Sequence, residues 1–193
     1  MRKSTIALLT VAAGGLLLAA CATRHSGELE PPNTVGQVDL QRYQGTWYEL
    51  ARLPMFFQRN CAQSEAHYGL KPDGNVAVLN RCRKADGQWD EITGTASPQV
   101  PGKTDKLWVR FDNWFSRLLP GVAKGAYWVL YIDRDYNVAV VGNPDRKYLW
   151  LLSRTPKVTR EVREELLAKA RQQGYDTSRL IWRAEDEQIK TLR

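Results

Sequence analysis

Most of the chain after residue 45 alternates between apolar and polar positions in short segments separated by turn signals. A period of two is typical of strands with one buried face, because successive side chains point to opposite faces. Sequences such as Lys71–Gly74 (KPDG) and Lys84–Gly87 (KADG) are typical of hairpin turns. The pattern predicts eight strands, over about residues 45–53, 62–70, 75–83, 88–97, 105–112, 126–133, 137–142 and 148–153.

A second periodicity follows the strands. Val162, Leu166, Leu167 and Ala170 share one face at helical spacing, which predicts a helix over Thr159–Gln173 that ends at a glycine, Gly174. Its other face is charged and therefore solvated. The apolar stretch Leu180–Trp182 is a candidate for one more short strand.

Eight antiparallel strands followed by one helix predict an all-β protein. We interpret them as an eight-stranded up-and-down β-barrel with the C-terminal helix packed outside, since closure removes exposed strand edges and leaves room for one small ligand. A β-sandwich has the same strand count, so the alternation alone leaves both folds open.

The first twenty residues have a different pattern. Arg2 and Lys3 precede a short apolar run from Ile6 to Leu18, which ends in small residues before Cys21. A charged start, a short apolar run and a small-residue cleavage site are typical of a secretory signal, and the run is too short for an ordinary transmembrane helix. We therefore assign residues 1–20 to a signal peptide.

Leu18–Cys21 (LAAC) resembles a bacterial lipobox. The resemblance implies that the Cys21 sulfur carries a diacylglycerol and that the new amino group is acylated, which together anchor a protein stably. It also implies an outer-membrane address, since no Asp follows Cys21 directly. The simpler alternative is an incidental cysteine beside an ordinary cleavage site. Residues 21–38 are polar and turn-rich, so we predict a flexible tether there and a barrel domain over 39–193.

Composition narrows the function classes. The formal net charge of +7 falls to +5 without Arg2 and Lys3. Such an excess attracts anionic surfaces or simply keeps a protein soluble. The cations are dispersed among acidic residues rather than grouped in a basic arm, so no nucleic-acid partner is expected. The seven Trp and eight Tyr suit strands or an apolar pocket.

Three motifs resemble those of the lipocalins. Gly45, Trp47 and Tyr48 match the Gly-x-Trp-Tyr signature of the first strand, Asp133–Tyr136 (DRDY, with Asp135) matches the second motif, and Tyr148–Pro156, with Arg154, matches the third. The resemblance covers about residues 38–181 and is strongest to the bacterial lipoprotein branch near apolipoprotein D. It implies that Trp47 packs across the barrel base and that Arg154 stacks on it, so both are structural residues.

The resemblance also implies the function. Lipocalins of this branch bind a fatty acid or a lysophospholipid, for lipid storage or transport in envelope maintenance, and some pair as homodimers. We expect no cofactor and no metal.

Cys61 and Cys82 lie at the far ends of one predicted hairpin, roughly opposite each other. Because the periplasm is oxidising, we predict a disulfide, although a bulge or diagonal pairing is needed for the register. Two buried thiols are the alternative.

No catalytic residue is predicted. The two histidines, His25 and His67, stand apart from any Cys or carboxylate at metal-ligand spacing, and no nucleophile elbow, phosphate loop or dinucleotide fingerprint occurs. Two other functions stay open: an enzyme of a hydrophobic substrate on the same scaffold, and an anchored interaction protein whose pocket is filled by its own side chains.

Strand alternation nominates the ligand contacts. We expect the candidates Trp108, Phe111, Tyr127, Val129 and Trp150 inside the barrel, and Phe56 and Phe57 near its mouth as a lid, a membrane contact or ordinary loop packing. The same alternatives apply to the apolar patch Trp114–Pro120. Arg110, Arg117 and Lys124 are candidates to pair with a headgroup.

Overall fold

The computed structural model describes residues 30–112 and 124–191. Within these ranges one antiparallel sheet closes on itself, because the first strand pairs with both the second and the eighth. The predicted barrel is confirmed, and each of its strands lies within one residue of the predicted bounds. The strands are β1 (Gly45–Arg52), β2 (Cys61–Leu70), β3 (Val76–Lys84), β4 (Trp89–Pro98), β5 (Lys106–Phe111), β6 (Gly125–Ile132), β7 (Val138–Gly142) and β8 (Leu149–Ser153).

The additional strand is confirmed as β9 (Ile181–Trp182), which pairs with Ala51 and Arg52 of β1 outside the barrel. Helix α2 (Arg160–Gln172) also matches its prediction. The sequence patterns did not reveal α1 (Leu40–Tyr43), α3 (Asp186–Thr191) or the 3-10 helices η1 (Phe56–Gln58) and η2 (Thr177–Arg179). These elements are too short to show a hydrophobic period. No helix in the described part of the chain is long and apolar enough to cross a bilayer.

Helix α2 covers the part of the wall that is apolar on both faces. Leu166 and Ala170 are fully buried in a cluster with outward side chains of β7 and β8. Every residue of β7 is buried, because its other face meets the barrel interior. The helix therefore explains why β6 and β7 lack a clear alternation.

The segment before α1 belongs to the barrel, contrary to the predicted tether. Val35 N–H donates to the Val129 carbonyl of β6 at 3.1 Å, and the Val38 backbone exchanges hydrogen bonds with the Thr104 hydroxyl at 2.8 and 2.6 Å. Val38 itself is buried. Residues 33–38 hold to the barrel through backbone groups, which the polar composition of the segment did not reveal. The tether predicted over residues 21–38 therefore does not include residues 33–38, and residues 21–29 lie outside the described part of the chain.

Candidate functional site

The barrel encloses a cavity of about 380 Å³. Ligand pockets for small molecules commonly occupy roughly 300–1,000 Å³, so the space suits one small amphiphile. The cavity runs from the closed end of the barrel, near α1, to the open end, where β2 begins and β3 ends. Its apolar lining includes Val76, Val78, Ile92, Ala96, Leu107, Val109, Phe111 and Leu152.

Strand β5 shows which candidates face this cavity. Phe111 lines it, as predicted, together with Leu107 and Val109. Trp108 does not line it, and the Lys124 ammonium lies 4.2 Å above its indole ring. Phe111 and Trp108 are three positions apart, so a regular strand cannot point both inward. The prediction for Trp108 was wrong. Leu107 and Val109 were missed, although they lie four and two positions before Phe111 and such even spacing places them on the same face of the strand.

Strand β6 contributes Tyr127, which lines the cavity as predicted. Val129 also points inward, but it is 1% exposed and packs in the core with Trp47 and Val141 below the cavity floor. Val129 is therefore a core residue rather than a cavity-lining one, because the closed end is filled at that height.

The floor of the cavity is built on Trp47. The indole is fully buried, its Nε1 donates to the Tyr43 carbonyl at 2.9 Å, and the Arg154 guanidinium stacks 3.9 Å from the ring centroid. Arg154 also donates to the carbonyls of Arg42, Thr46 and Tyr136. The structure places this pair as the resemblance implied, and it also shows that Trp47 borders the cavity.

The remaining signature residues lie around the closed end. Gly45 has a φ of 90°, and a Cβ there would lie 3.5 Å from Arg154. The turn after β6 is organised by Asp133, whose Oδ1 accepts from the backbone N–H groups of Asn137 and Val138, each at 2.7 Å. Asp135 itself is exposed, and Tyr48 lies beneath the guanidinium of Arg183.

Three tyrosine hydroxyls meet just above the floor. Tyr43 and Tyr127 are joined at 2.8 Å, and Tyr68 donates to Tyr127 at 3.2 Å. Burial raises the pKa of Tyr68 to about 12 and also raises the pKa values of Tyr43 and Tyr127 well above the ordinary value of tyrosine. All three therefore stay neutral and protonated near pH 7. Tyr43 and Tyr68 were missed, because their convergence depends on the barrel register.

A buried polar network lines the wall nearer the open end. Glu49 accepts from Arg52 at 2.8 Å and from Gln58 at 2.9 Å, and the ion-paired side chains are 7% and 2% exposed. Trp150, a predicted contact, lines the cavity and donates its indole N–H to Gln58 at 2.9 Å. Ser64 accepts from Gln58 at 3.2 Å. Both terminal nitrogens of Arg52 are engaged, since Nη2 donates to two backbone carbonyls.

The predicted disulfide is present at the rim of the open end. Cys61 and Cys82 are bonded, with their Cα atoms 5.3 Å apart, and both line the cavity. Cys82 pairs with Ser64 across the hairpin and Cys61 pairs with Lys84, with a register shift between Cys61 and Gln63. The pairing is therefore diagonal and accompanied by a bulge, as the sequence spacing required.

The two phenylalanines of η1 differ. Phe57 lines the cavity and packs edge-on against Tyr148 at 5.4 Å. Phe56 is 69% exposed, does not line the cavity, and lies 3.9 Å beneath the Arg59 guanidinium. The prediction of ligand contact was wrong for Phe56, because a turn of 3-10 helix presents adjacent residues on different sides.

Charges at the rim also differ from the expectation. Arg110 and Lys124 are exposed and do not line the cavity, and Arg117 lies outside the described residues. Asp90 lines the rim instead and pairs with Lys84 at 2.8 Å. Asn80 Oδ1 is buried in the lining with no hydrogen-bond partner among the described atoms, so it is free to accept from a ligand.

Catalytic chemistry finds little support in the cavity. The Thr46 hydroxyl lies 2.9 Å from His67 Nδ1, and Glu65 lies 3.4 Å from Nε2, but neither Thr46 nor His67 lines the cavity. The raised pKa values of the interior tyrosines make phenolate scarce, which is the opposite of what a general base requires. In residues 30–112 and 124–191, no three Cys, His or carboxylate side chains are grouped to hold a metal ion.

Comparison with known proteins identifies the same family that the signature residues indicate. Residues 38–185 match the family described as the lipocalin-like domain. The chain is 37% identical over 179 residues to outer membrane lipoprotein Blc of Escherichia coli K12, covering 91% of this chain and 94% of the relative. It is 39% identical over 155 residues to temperature-induced lipocalin-1 of Arabidopsis thaliana, covering 79% and 82%.

Apolipoprotein D of Bos taurus is 34% identical over 166 residues, covering 81% of this chain and 82% of the relative. Among solved structures, insecticyanin of the tobacco hornworm Manduca sexta superposes with a TM-score of 0.61 at 22% identity. That match covers 82% of this chain and 85% of the other. At this identity the likeness is one of fold alone.

Proposed function

The chain belongs to the lipocalin family, and from that premise we propose that it is an outer-membrane-anchored lipocalin that binds a fatty acid or a lysophospholipid in its barrel, for lipid storage or transport in envelope maintenance. The observation that carries this proposal is the cavity itself. Most of its lining is apolar, and its polar groups include the tyrosine hydroxyls near the floor, Asn80 in the wall and the hydrogen bonds around Glu49 nearer the open end. An amphiphile with one acyl chain matches that distribution.

The polar groups define how such a ligand is recognised. Asn80 Oδ1 offers an acceptor in the wall, and the three tyrosine hydroxyls share two hydrogen bonds, so one O–H is left over as a donor near the floor. Among the described residues, the cation that lines the cavity is Arg81, and it is already paired with Glu65 at 2.7 Å and with Glu91 at 2.9 Å. Hydrogen bonds rather than an ion pair therefore select the ligand.

The anchor rests on Cys21, which lies outside the described residues. Its support is the lipobox resemblance and the relatives named outer membrane lipoprotein. We expect the acylated protein to fractionate with outer membranes and the Cys21→Ser variant to be released, as immunoblots of separated envelope fractions will show. Self-association as a homodimer also stays a prediction, for light scattering to test.

The ligand is tested by native mass spectrometry of protein purified from its own host, with the bound lipid extracted and identified. A stoichiometric fatty acid or lysophospholipid is the expected result. A clean apo mass, with no change in tryptophan fluorescence when lysophospholipid is added, would overturn the proposal.

A matched pair of variants connects the ligand to the cavity. Gly125 lines the cavity, and a Cβ there meets no atom within 4 Å, so Gly125→Phe fills space without backbone strain. We expect this variant to fold and to lose the bound lipid. Thr93→Phe adds the same ring to an exposed position of β4 and should keep it.

Two other functions are less well supported. A filled interior would have indicated an interaction protein, whereas the barrel encloses open space. An enzyme requires an interior group with a pKa suited to proton transfer, and the interior tyrosine pKa values are shifted upward.

A further inference from the structure

A second concave surface lies on the outer wall, between α2 and the segment from η2 to β9. We call it the arginine groove. Arg160, Arg163 and Arg171 stand along its helical side, and Leu167 and Trp182 form its apolar floor. The groove thus combines cationic side chains with an accessible apolar strip.

The charge of the arginine groove is unbalanced. Glu164 is the one carboxylate among the described residues that line it, against three guanidinium groups. Each described ion pair of the molecule lies elsewhere, so no carboxylate comes within 4 Å of these arginines in the described ranges. The N–H donors of the groove are therefore available to an anion.

Two of these arginines are held in place by contacts other than ion pairs. The Arg163 guanidinium stacks 3.4 Å from the centroid of the Trp182 ring, and Arg171 donates to the Thr177 hydroxyl at 3.5 Å. Stacking occupies the face of a guanidinium and leaves its N–H edge free. Such an edge forms paired hydrogen bonds with phosphate oxygens.

The path of the chain places this surface near the proposed anchor. Asn33 N–H donates to Gln173 Oε1 at 2.8 Å, directly after the last residue of α2 and within the same turn as Arg171. Asn33 lies twelve positions after Cys21. A chain of that length reaches at most about 43 Å when fully extended, so an anchor at Cys21 holds the end of α2 within that distance of the membrane surface.

We propose that the arginine groove docks onto anionic phospholipid headgroups of the membrane that holds the anchor. The inference rests on the anchoring part of the proposed function. The three arginines bind headgroup phosphates, while Trp182 and Leu167 meet the apolar boundary beneath them. Docking at this flank orients the barrel with α2 toward the bilayer, rather than leaving it free on its tether.

The test uses the acylated full chain reconstituted into vesicles of phosphatidylcholine, with or without phosphatidylglycerol. Hydrogen–deuterium exchange follows the backbone amides of residues 176–183. We expect phosphatidylglycerol to slow their exchange by roughly tenfold and added salt to remove the effect. The triple variant Arg160→Gln, Arg163→Gln, Arg171→Gln should lose this protection while still sedimenting with both vesicles.

A control triple variant, Lys103→Gln, Arg110→Gln, Arg134→Gln, removes the same charge from exposed positions elsewhere and should keep the protection. Equal exchange in the two vesicle types, or equal loss in the two triple variants, would overturn the docking while leaving the anchor and the ligand untouched. A protein absent from both vesicle pellets would overturn the anchor and the docking together. Failure of the ligand proposal has a separate signature, the apo mass.

Discussion

The two ends of the barrel are stabilised by different means. At the closed end, Trp47, Tyr43 and Arg154 fill the space between the strands with two aromatic rings in contact and a guanidinium. At the open end the wall is held by the Cys61–Cys82 disulfide and by the hydrogen bonds around Glu49. An end that admits a ligand cannot be filled by packing. The open end is therefore stabilised within the wall, by a covalent cross-link and a polar network.

The sharpest way to break the closed end is Trp47→Ala. The variant removes a fully buried indole and leaves Arg154 without its stacking partner, so we expect a loss of about 3–5 kcal/mol in the free energy of unfolding. Urea denaturation measures it. Trp108→Ala, on the outer wall, is the matched control and should cost far less; equal losses would show that the floor has no special role.

Removing the disulfide weakens the open end instead. The cross-link joins residues 21 positions apart, and the chain-entropy relation gives about 3 kcal/mol for a loop of this length. We expect the double variant Cys61→Ser, Cys82→Ser to lose that amount in urea denaturation. A reducing agent should lower the stability of the wild type similarly and leave the double variant unchanged. An effect of the agent on the variant would refute this assignment.

Arg154→Gln is expected to destabilise the closed end less than Trp47→Ala does. It removes the cation over Trp47 but keeps an amide able to donate to one of the neighbouring carbonyls. We expect a loss of roughly 1–3 kcal/mol, combining the cation–π contact with weakened hydrogen bonds. Thermal unfolding monitored by tryptophan fluorescence measures it. Arg134→Gln, at an exposed position of the turn after β6, is the control and should leave the midpoint unchanged.

The three buried tyrosine hydroxyls above the floor predict that the free energy of unfolding depends on pH. The folded pKa of Tyr68 is about 12, above the ordinary value of 10. The unfolded chain therefore releases this proton first as the pH rises, so the contribution to stability is complete below pH 10 and is lost between about pH 10 and 12. Urea denaturation across this range should show the fall, and Tyr68→Phe should reduce it. A flat profile would contradict the burial of the hydroxyls.

The smallest change in stability is expected at the mouth. Phe57 is 44% exposed but lines the cavity, so Phe57→Ala should alter unfolding by less than about 0.5 kcal/mol. Lysophospholipid affinity should nevertheless fall by roughly threefold to tenfold, because ring area that covers the ligand is lost. Fluorescence titration measures the affinity. Phe56→Ala should leave both quantities unchanged, and a loss of affinity there would refute the separate placement of the two rings.

The family motifs concentrate at one of these two ends. Gly45, Trp47 and Arg154 all contribute to the closed end, and this explains why the resemblance could anticipate their arrangement. The same motifs carry less information about the cavity. Tyr68, Asn80 and Leu107, which line it, belong to none of them.

Local pattern was sufficient for the strands and α2, because the period of apolar residues follows directly from which face is buried. It was insufficient for the cavity contacts. Trp108 was assigned to the wrong face, since side-chain direction in β5 depends on parity relative to the neighbouring strands. Val129 points into the barrel, as predicted, but it lies too near the closed end to reach the cavity. There, α1 and the segment before it fill the barrel below Tyr127.

The sequence by itself determined the strand number, the hairpin turns, the helix and the candidate disulfide, since each follows from periodicity or spacing within one stretch of chain. Only the tertiary structure decided which side chains meet inside the barrel. The tyrosine trio joins residues 84 and 59 positions apart, and Gln58 reaches Trp150 across 92 positions. Such contacts depend on the register and closure of the whole sheet, and a shift of one residue in a single strand would turn its side chains to the opposite face.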